Sequence, residues 1–562
     1  MDTRAKKDFP VTISDFKRII QNCYFVDKSR FIASILDHPG INVTLITRPR
    51  RFGKTIILSM LKYFFTIDNA FENRTLFNDL EIERLGDKYM DRQGKSPVIF
   101  MSLKNINTDN FDDFIENLAS LVATTYKNYD YLLDSQNLTT DDKEYFLKIK
   151  KRISNKTDLK NSLFSLTYFL AKHHNIYPIL LIDEYDAPII TSWNEHYYDK
   201  CISFMRDFYG LVIKDNQYLD FAVLTGVTRI SKESIFSGVN NFLPSSVLSN
   251  EYSDIFGFTE DEVIQLMKYY DAIDKFDELK TWYDGYRFGE VEIYNPWSVM
   301  NYLYQKCTPK SYWVNSSSNI ILNSLLQNID LTIADELKLL VSGESIERNI
   351  DESLVYGDIN TNNNALFSIL LSSGYLKFTS KSYLDDKWLC TLKIPNKEII
   401  STYKSEILHR LYPKDDKLLN IMLKSMMSGD VSTFKMTFEK ILSKNISYYD
   451  TAKDKAESFY HGFLLGLTIL IDHLYVIKSN LESGKGRFDI ACFPKNKNNH
   501  GLILEFKISK NLNSLKKDSL KALKQINTNN YSALLDSFDI KNIIKYGISF
   551  YGTNIFITSS KI

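Results

Sequence analysis

A Gly-Lys-Thr triplet at residues 53–55 follows an apolar run at residues 41–46 and precedes a helix-like run at residues 56–65. This order predicts a strand, a tight turn and a helix, which is the layout of a phosphate-binding loop. Backbone N–H groups of the turn and the positive end of the helix dipole would meet at one point. Lys54 would then reach the outer phosphates, and Thr55 would place its hydroxyl on a magnesium ion. The loop residues expected to contact the nucleotide and its ion are Arg50, Arg51, Phe52, Gly53, Lys54 and Thr55.

The loop departs from the common pattern G-x-x-x-x-G-K-[ST], because Arg48 occupies the position of the first glycine. Pro49 and two further arginines follow it. A basic turn before a helix is the alternative interpretation. We favour nucleotide binding, because the Gly-Lys-Thr triplet lies at a strand-to-helix junction.

A second run, YPILLIDEYDAP at residues 177–188, contains four consecutive apolar residues that end in Asp183 and Glu184. Such a run predicts a strand buried on both faces, as in a parallel sheet covered by helices. Carboxylates at the carboxyl end of such a strand lie in the crevice where these sheets bind ligands. We expect Asp183 to hold the magnesium ion through water and Glu184 to orient and deprotonate the attacking water. An acidic turn after a core strand is the alternative.

A further apolar strand at residues 221–224 runs into Thr225. A polar residue at the tip of a neighbouring strand can sense the terminal phosphate, so Thr225 is a candidate for this role and Arg229 a weaker one. Thr225 could equally be only a strand cap. With the apolar run at residues 97–103, these segments predict an α/β fold built on a parallel sheet.

Composition gives the whole chain no general attraction to nucleic acid or membrane. Lys plus Arg and Asp plus Glu each number 69 among 562 residues, so the net charge is zero and any basic surface must be local. The five cysteines are scattered without a C-x-x-C pair, which favours a reducing compartment. Neither the N-terminus nor the apolar run at residues 463–471 has the length of a signal-peptide core or a membrane span. We therefore expect a cytoplasmic protein of several domains that does not bind membranes.

Several motifs follow one another in the first 300 or so residues. They are FVDKS (25–29), RPRRFGKT (48–55), LLIDEYDAP (180–188), LTGVTRISKESIFSGVNN (224–241), WYDGYRF (282–288) and YNPWSV (294–299). Together they resemble the AAA-ATPase-like family of bacterial proteins. The resemblance implies an AAA-type nucleotide-binding fold related to the STAND-like ATPases, followed by a helical lid, with ATP and Mg²⁺ as ligands.

Residues 256–330 fit the helical lid. Thr259 is expected to cap its first helix, where the acidic residues 260–262 favour the positive helix end. The aromatic residues Trp282, Tyr283 and Tyr286 could touch an adenine ring or could pack the lid against the core. We favour packing.

A second group of chemically suggestive residues lies near the C-terminus. Residues 479–494 lead into a strand, and residues 502–509 form a second strand after a polar turn. Because alternate residues of a strand share a face, Glu505 and Lys507 point the same way, and Asp489 on the partner strand can meet them. Two carboxylates can bind Mg²⁺, and the ammonium can position or deprotonate water for phosphodiester hydrolysis. An edge hairpin with surface charges would also produce this loose pattern.

The C-terminal segment is similar to the PD-(D/E)xK nuclease superfamily. Asp489, Glu505 and Lys507 match its acidic and lysine positions, and Glu457 matches the acidic residue on the preceding helix. Phe488 stands in place of the proline of the name, which leaves the carboxylate intact. The resemblance implies a magnesium-dependent nuclease whose metal ligands include Asp489 and Glu505. A degenerate site that no longer cleaves is the alternative.

The next helix, predicted over residues 516–531, carries Gln525 and Tyr531, which resemble the glutamine and tyrosine that follow the core in several nuclease branches. Six lysines stand against one acid, Asp518, between residues 507 and 524. Contacts of this kind hold nucleic-acid phosphates without reading sequence. A lysine run is also typical of a solvated helix face. The lysines are Lys507, Lys510, Lys516, Lys517, Lys521 and Lys524.

The favoured hypothesis is an ATPase coupled to a nuclease that acts on DNA or RNA, with homo-oligomer formation left open. The alternative is a nucleotide-switched signalling or scaffolding protein whose nuclease-like domain only binds nucleic acid or a partner. The predicted segments are a P-loop domain at residues 1–255, a lid at 256–330, a mostly helical connector at 331–444 and an α/β nuclease-like domain at 445–562.

Overall fold

The structure is a computed structural model, and the part of the chain that it describes divides into two compact units. The first comprises residues 1–328 and 343–400, and the second comprises residues 329–342 and 401–562. The described residues are 6–229, 242–313, 336–337, 339–341, 343–352, 363–403, 416–445, 460, 471, 474–479, 482–483, 486–487, 489–528, 540 and 542–561.

A five-stranded parallel sheet forms the centre of the first unit, with the strand order β2-β3-β4-β1-β5. Every residue of β1, β3 and β4 is buried, which explains why their sequences are continuous apolar runs instead of alternating ones. The predicted α/β fold with a parallel sheet is confirmed. The strands are β1 (Val43–Thr47), β2 (Val98–Ser102), β3 (Ile179–Asp183), β4 (Ala222–Gly226) and β5 (Phe242–Ser245).

Helices cover this sheet, and the two longest of them begin at asparagine caps. Asn155 accepts a hydrogen bond from the Asp158 N–H at the start of the helix that ends at His174. The helices are α1 (Phe16–Asn22), α2 (Arg30–Leu36), α3 (Lys54–Phe65), α4 (Ala70–Arg74), α5 (Glu81–Arg84), α6 (Asp87–Met90), α7 (Phe111–Lys127), α8 (Thr140–Lys150), α9 (Lys156–His174), α10 (Ala187–Asn194) and α11 (Tyr198–Ile213).

The lid segment contains three helices and a short hairpin in its described residues. Thr259 caps the first helix by accepting from the Glu262 N–H in a capping box, as the sequence predicts. Tyr283 and Tyr286 are almost fully buried, so these two side chains pack inside the unit. The elements are α12 (Glu260–Tyr269), α13 (Phe276–Tyr283), β6 (Tyr286–Phe288), β7 (Val291–Ile293) and α14 (Pro296–Tyr304).

The segment predicted as a connector contains an antiparallel sheet of the order β8-β10-β9. The expected strand pair is present, and β8 is a third strand that the sequence pattern did not indicate. The boundary between the two compact units, at residue 400, falls inside this segment. The four-segment division stays a prediction. The elements are β8 (Ile346–Ile350), α15 (Asn363–Ser372), β9 (Lys377–Leu384) and β10 (Lys387–Lys393).

The second unit is built on a mixed sheet of the order β11-β14-β15-β16-β17, in which β15 and β16 are parallel. A helix crosses between this parallel pair, as such a connection requires. The elements are α16 (Asp416–Ser428), α17 (Val431–Asn445), β11 (Tyr475–Ser479), β12 (Glu482–Ser483), β13 (Gly486–Arg487), β14 (Ile490–Pro494), β15 (Gly501–Ile508), α18 (Leu515–Thr528), β16 (Ile543–Tyr551) and β17 (Asn554–Lys561).

The crossover helix α18 packs very closely on the sheet. A Cβ added at Gly547 of β16 would lie 2.3 Å from the Ser519 carbonyl oxygen, so only glycine fits under the helix. The Ser519 hydroxyl donates to the Gly547 carbonyl at 2.9 Å. These contacts fix the face of α18 that looks toward the end of β15. None of the helices in the described ranges is both long enough and apolar enough to span a membrane.

Candidate functional sites

The Gly-Lys-Thr triplet lies where the sequence pattern predicts it, between the end of β1 and the start of α3. Gly53 caps α3 in the left-handed region with φ 85°, a conformation that favours glycine. The helix begins at Lys54. The N–H groups of its first turn therefore point toward the loop, together with the positive end of the helix dipole.

The side chain of Lys54 is buried and folds back over the loop. Its ammonium donates to the carbonyl oxygens of Arg48 at 2.7 Å and Pro49 at 2.8 Å. Burial lowers the pKa of Lys54 to about 8, although Glu184 and Asp183 oppose this effect. A desolvated ammonium whose hydrogen bonds go to carbonyl dipoles gains strongly from an anion nearby.

Asp183, Thr55 and Thr225 meet at the end of β3. The Thr55 hydroxyl donates to Asp183 Oδ2 at 2.7 Å, and the Thr225 hydroxyl donates to Asp183 Oδ1 at 2.7 Å. Asp183 and Thr225 are fully buried. A hydroxyl and a carboxylate in direct contact are oxygen ligands of the kind that Mg²⁺ prefers, so these residues fit the expected ion. Thr225 also fixes the orientation of the carboxylate.

Glu184, the predicted base, follows Asp183 with φ 51°, in the left-handed region that non-glycine residues rarely adopt. Its side chain lines the same cleft as Lys54. Burial raises the pKa of Glu184, Lys54 opposes this, and Asp183 adds to it. A carboxylate with a raised pKa is better able to accept a proton from water near neutral pH.

The cleft that contains these residues has a volume of about 1120 Å³. Its polar lining includes Lys54, Thr55 and Glu184. Its apolar lining includes residues of the N-terminal segment and of the lid. Five of these belong to one hydrophobic cluster, namely Tyr24, Val26, Phe258, Trp297 and Met300.

The other predicted loop residues have separate structural roles. The guanidinium of Arg51 stacks on the Trp297 ring at 4.0 Å from its centroid. The carbonyl of Arg50 accepts from the Trp313 indole N–H at 3.2 Å. Phe52 is fully buried against Tyr286, so only its backbone is available to a phosphate.

Arg48, at the position of the usual first glycine, is fully buried beneath the loop. Its guanidinium donates to the Ser245 carbonyl at 2.9 Å and to the Ser245 hydroxyl at 3.0 Å. Burial lowers the pKa of Arg48 to about 9. This arginine therefore anchors the loop to β5 and does not face the cleft.

Two residues to which the sequence pattern gave no role fasten the chain after β4. Asp186 Oδ2 accepts from the backbone N–H groups of Val227 at 2.9 Å and Thr228 at 2.8 Å. The Tyr185 hydroxyl donates to the Thr228 carbonyl at 2.7 Å. The YDAP sequence that follows the two carboxylates was the feature from which these two structural roles could have been predicted. Arg229, the weaker sensor candidate, follows this fastened segment and is half-buried.

Glu398 was also missed, and it joins two tryptophan-bearing segments. Oε1 accepts from the N–H groups of Tyr312 at 2.6 Å and Trp313 at 2.8 Å, and Oε2 accepts from the Ser298 hydroxyl at 2.8 Å. Burial raises the pKa of Glu398 to about 7. The carboxylate thus holds Trp313 and the residue next to Trp297, and both of these indoles contact the phosphate-loop segment.

At the C-terminal site, Asp489 lies just before β14, and Glu505 lies on the neighbouring strand β15. Asp489 Oδ2 accepts from the Phe506 N–H at 2.7 Å, which holds the carboxylate beside Glu505. Gln525 of α18 donates from Nε2 to Glu505 Oε1. The structure therefore brings together three residues from separate elements, one just before β14, one on β15 and one on α18.

Glu505 is only 2% exposed, and its Oε2 is a buried oxygen without a hydrogen-bond partner in the described part of the chain. Burial, followed by the charge of Asp489, raises the pKa of Glu505 to about 8, while Lys507 opposes this. An orphaned carboxylate oxygen beside a second carboxylate is stabilised by a cation. The pair therefore fits a hard divalent ion. Lys507 lies two residues further along β15, half-buried.

The third predicted acid of this site, Glu457, lies outside the described residues, as do Phe488 and Tyr531. Within the described ranges, no group of three or more His, Cys, Asp or Glu residues is placed to hold a metal ion. The described part of the C-terminal site therefore consists of two carboxylates, one amide and one lysine.

The lysine-rich stretch forms one exposed face of α18. Lys516, Lys517, Lys521 and Lys524 line an open depression of about 460 Å³ together with Asn513 and Leu520. Lys521 is partly neutralised by Asp518 at 2.8 Å. The same helix thus carries Gln525 toward the carboxylates and a positive face toward solvent.

The fold and the position of the Gly-Lys-Thr loop define the architecture of a P-loop domain, and comparison with known proteins gives the families. Residues 10–236 match the AAA-ATPase-like family, described as "Predicted AAA-ATPase", and residues 455–560 match the PD-(D/E)XK nuclease superfamily. Both resemblances found in the sequence are thereby confirmed. The chain is also similar to the "Uncharacterized protein in vnfD 5'region" of Azotobacter chroococcum mcd 1. That protein is 24% identical over 525 residues, which cover 90% of each chain.

Proposed function

We propose that this protein binds and hydrolyses ATP at the loop of residues 48–55 and cleaves nucleic acid at a magnesium-dependent site formed by Asp489, Glu505 and Lys507. The observation that carries the nuclease proposal is the buried Oε2 of Glu505, which lies beside Asp489 and has no partner in the described part of the chain. A carboxyl group in this position costs free energy unless a proton or a cation compensates it.

In the ATPase unit, Lys54 and the first N–H groups of α3 would bind the β- and γ-phosphates. Thr55 and Asp183 would hold the magnesium ion, which supplies charge neutralisation for the transferred phosphoryl group. Glu184 would orient the attacking water and accept its proton, for which its raised pKa is suited. Thr225, hydrogen-bonded to Asp183, would adjust that carboxylate as the terminal phosphate comes and goes.

In the C-terminal unit, Asp489 and Glu505 would hold the metal ion, which supplies Lewis acidity and an activated water. Gln525 keeps the Glu505 carboxylate in position through its amide. Lys507 would stabilise the negative charge that develops on the cleaved phosphate or position the attacking water. The lysine face of α18 would hold the nucleic-acid backbone next to these residues.

The test is a cleavage assay on the full chain with duplex DNA, single-stranded DNA and RNA, with Mg²⁺ or EDTA and with or without ATP. Cleavage that requires Mg²⁺ and is lost in Asp489→Asn supports the nuclease. Nucleotide-dependent oligomer formation without cleavage of any substrate contradicts it and favours the signalling or scaffolding alternative. Unchanged nucleotide affinity in Lys54→Ala contradicts the ATPase.

A further inference from the structure

The indole of Trp297 is an aromatic surface of the cleft that touches the phosphate loop. It belongs to the first turn of α14, which begins at Pro296 after the cap Asn295. The Trp297 indole N–H donates to the Tyr312 carbonyl at 3.2 Å. This hydrogen bond fixes the orientation of the ring, while one of its faces lies against the Arg51 guanidinium.

The stack between Arg51 and Trp297 occupies a position where a ligand would compete. Arg51 is a loop residue with φ 71°, two positions before the glycine that caps α3. A guanidinium and a nucleobase are both flat and both stack on indole faces, with comparable geometry. Only one of the two can occupy the same face.

The surroundings of Trp297 suit a base better than a charge. Tyr24, Val26, Phe258 and Met300 line the same cleft as Lys54 and Thr55, and all four belong with Trp297 to one hydrophobic cluster. Apolar walls with one aromatic platform, next to a polar phosphate site, are the usual make-up of a pocket that orients a heterocyclic ligand. Phe258 and Met300 are buried, so these walls are already formed.

We propose that Trp297 is the stacking platform for the purine base of the nucleotide, and that Arg51 covers this platform until the nucleotide displaces it. The displaced guanidinium becomes available to the phosphates, so the base and the arginine exchange places. This inference rests on the proposed nucleotide binding. It adds that Trp297 receives the base and that Arg51 covers the Trp297 ring in the absence of nucleotide.

The experiment compares two ligands on the full chain by calorimetry in the presence of Mg²⁺: the slowly hydrolysed ATP analogue AMPPNP and inorganic triphosphate, which has no base. Trp297→Leu is expected to weaken AMPPNP by about 10-fold or more, the usual value of one base–aromatic stack, and to leave triphosphate affinity within about twofold. Trp297→Phe is expected to retain most of the AMPPNP affinity, because a smaller aromatic platform remains.

Arg51→Ala is expected to leave triphosphate affinity within about twofold, because without a base the guanidinium stays on the indole. AMPPNP affinity is expected to fall, because the charge-assisted contact between the displaced guanidinium and the phosphates outweighs the stack that the guanidinium gives up. Trp282→Leu removes another lid tryptophan, which is not among the residues that line the described cleft, and neither affinity should change. An equal decrease for both ligands in Arg51→Ala overturns the exchange.

The outcomes separate this inference from the proposed function. If Trp297→Leu weakens both ligands equally, or if Trp282→Leu weakens AMPPNP as much, the tryptophan only supports the lid and the inference is wrong. Lys54→Ala should weaken both ligands whatever Trp297 does. A wild-type chain that binds neither ligand overturns the nucleotide-binding proposal together with the inference.

Discussion

The two candidate sites differ in how their buried carboxylates are compensated. At the end of β3, the two oxygens of Asp183 accept hydrogen bonds from the hydroxyl groups of Thr55 and Thr225. The charge of Asp183 also raises the pKa of Lys54, against the effect of burial. On β15, one oxygen of Glu505 accepts a hydrogen bond from the Gln525 amide, and its second oxygen has no partner in the residues that the structure describes. Asp183 is therefore satisfied by residues of its own site, and Glu505 is not.

This difference indicates two kinds of dependence on ligands. A site whose carboxylate already has hydrogen-bond partners can fold without its ligand, and the ligand only has to replace existing hydrogen bonds. An unsatisfied carboxyl pair instead needs either a proton or a cation. We therefore expect nucleotide to act as a regulator of the first unit, and the metal ion to be integral to the second.

The largest effect is expected at the less satisfied site. Lys507→Met should reduce magnesium-dependent cleavage by about 100-fold or more, because charge stabilisation next to the scissile phosphate is removed. Lys495→Met is the control, since Lys495 is an exposed lysine of the same unit outside the lysine-rich stretch, and its cleavage rate should stay within a few-fold. Initial rates on the preferred nucleic-acid substrate measure both. Equal rates in the two variants would break the assignment of Lys507.

Lys54→Ala is expected to lower nucleotide affinity by about 10- to 100-fold, because its buried ammonium is the charge placed at the start of α3 for the phosphates. Lys17→Ala is the control, since Lys17 forms a long, solvent-accessible ion pair with Glu72 at 3.9 Å. Equilibrium binding of a nucleotide measures the decrease. The contrast between the sites is sharpened if thermal stability changes little in Lys54→Ala, and it is weakened if this variant unfolds.

Glu398→Gln tests a buried carboxyl that is fully hydrogen-bonded. The native pKa of about 7 lies above the ordinary value of 4.5, so the stability contribution of the protonated form is present at low pH and is lost as pH rises through 7. Glutamine does not titrate, and its amide can still bond Ser298. The variant should therefore gain stability over the wild type between pH 5 and 8, by at most about 3 kcal/mol.

Calorimetric melting of both proteins at several pH values measures this gain, with Glu72→Gln as an exposed control that should follow the wild type. A constant difference between Glu398→Gln and wild type across the range would show that Glu398 does not titrate near neutral pH.

The smallest effect is expected from the lysine face of α18. Replacing Lys516, Lys517 and Lys524 by alanine should weaken nucleic-acid binding and reduce its salt dependence, by a slope of about 0.9 for each duplex phosphate that the protein no longer neutralises. Lys424→Ala with Lys440→Ala removes exposed lysines of α16 and α17 instead. Binding titrations at several salt concentrations compare the two sets. Identical slopes would place the nucleic acid elsewhere.

Much of the architecture follows from the sequence, because continuous apolar runs mark buried parallel strands and Gly-Lys-Thr marks the turn after one of them. The hairpin that carries Glu505 was also predicted, from two strand-like runs on either side of a polar turn, although Asp489 lies just before its first strand. Such patterns involve residues that are close together in the chain, and the burial of strands and helices explains why they predict secondary structure. The family comparisons agree with these interpretations.

The missed residues depend on long-range contacts, which no local pattern contains. Glu398 meets Ser298 across 100 positions, and Arg48 meets Ser245 across 197. Trp297 lies in the motif YNPWSV, but its contact with Arg51 depends on how the lid folds. The aromatic residues considered for contact with an adenine ring were Trp282, Tyr283 and Tyr286, for which packing was the favoured interpretation, and Tyr283 and Tyr286 are indeed buried.

The anchoring of Arg48 also restricts how this loop can change. Replacing Arg48 by glycine would restore the common loop pattern, but it would leave the Ser245 hydroxyl and carbonyl without a charged donor and would empty a buried space. The two positions are therefore coupled, so that neither can be exchanged alone without a decrease in stability. A change from this loop to an ordinary glycine-rich loop therefore requires simultaneous substitutions after β1 and on β5, which makes such a change improbable by single substitutions.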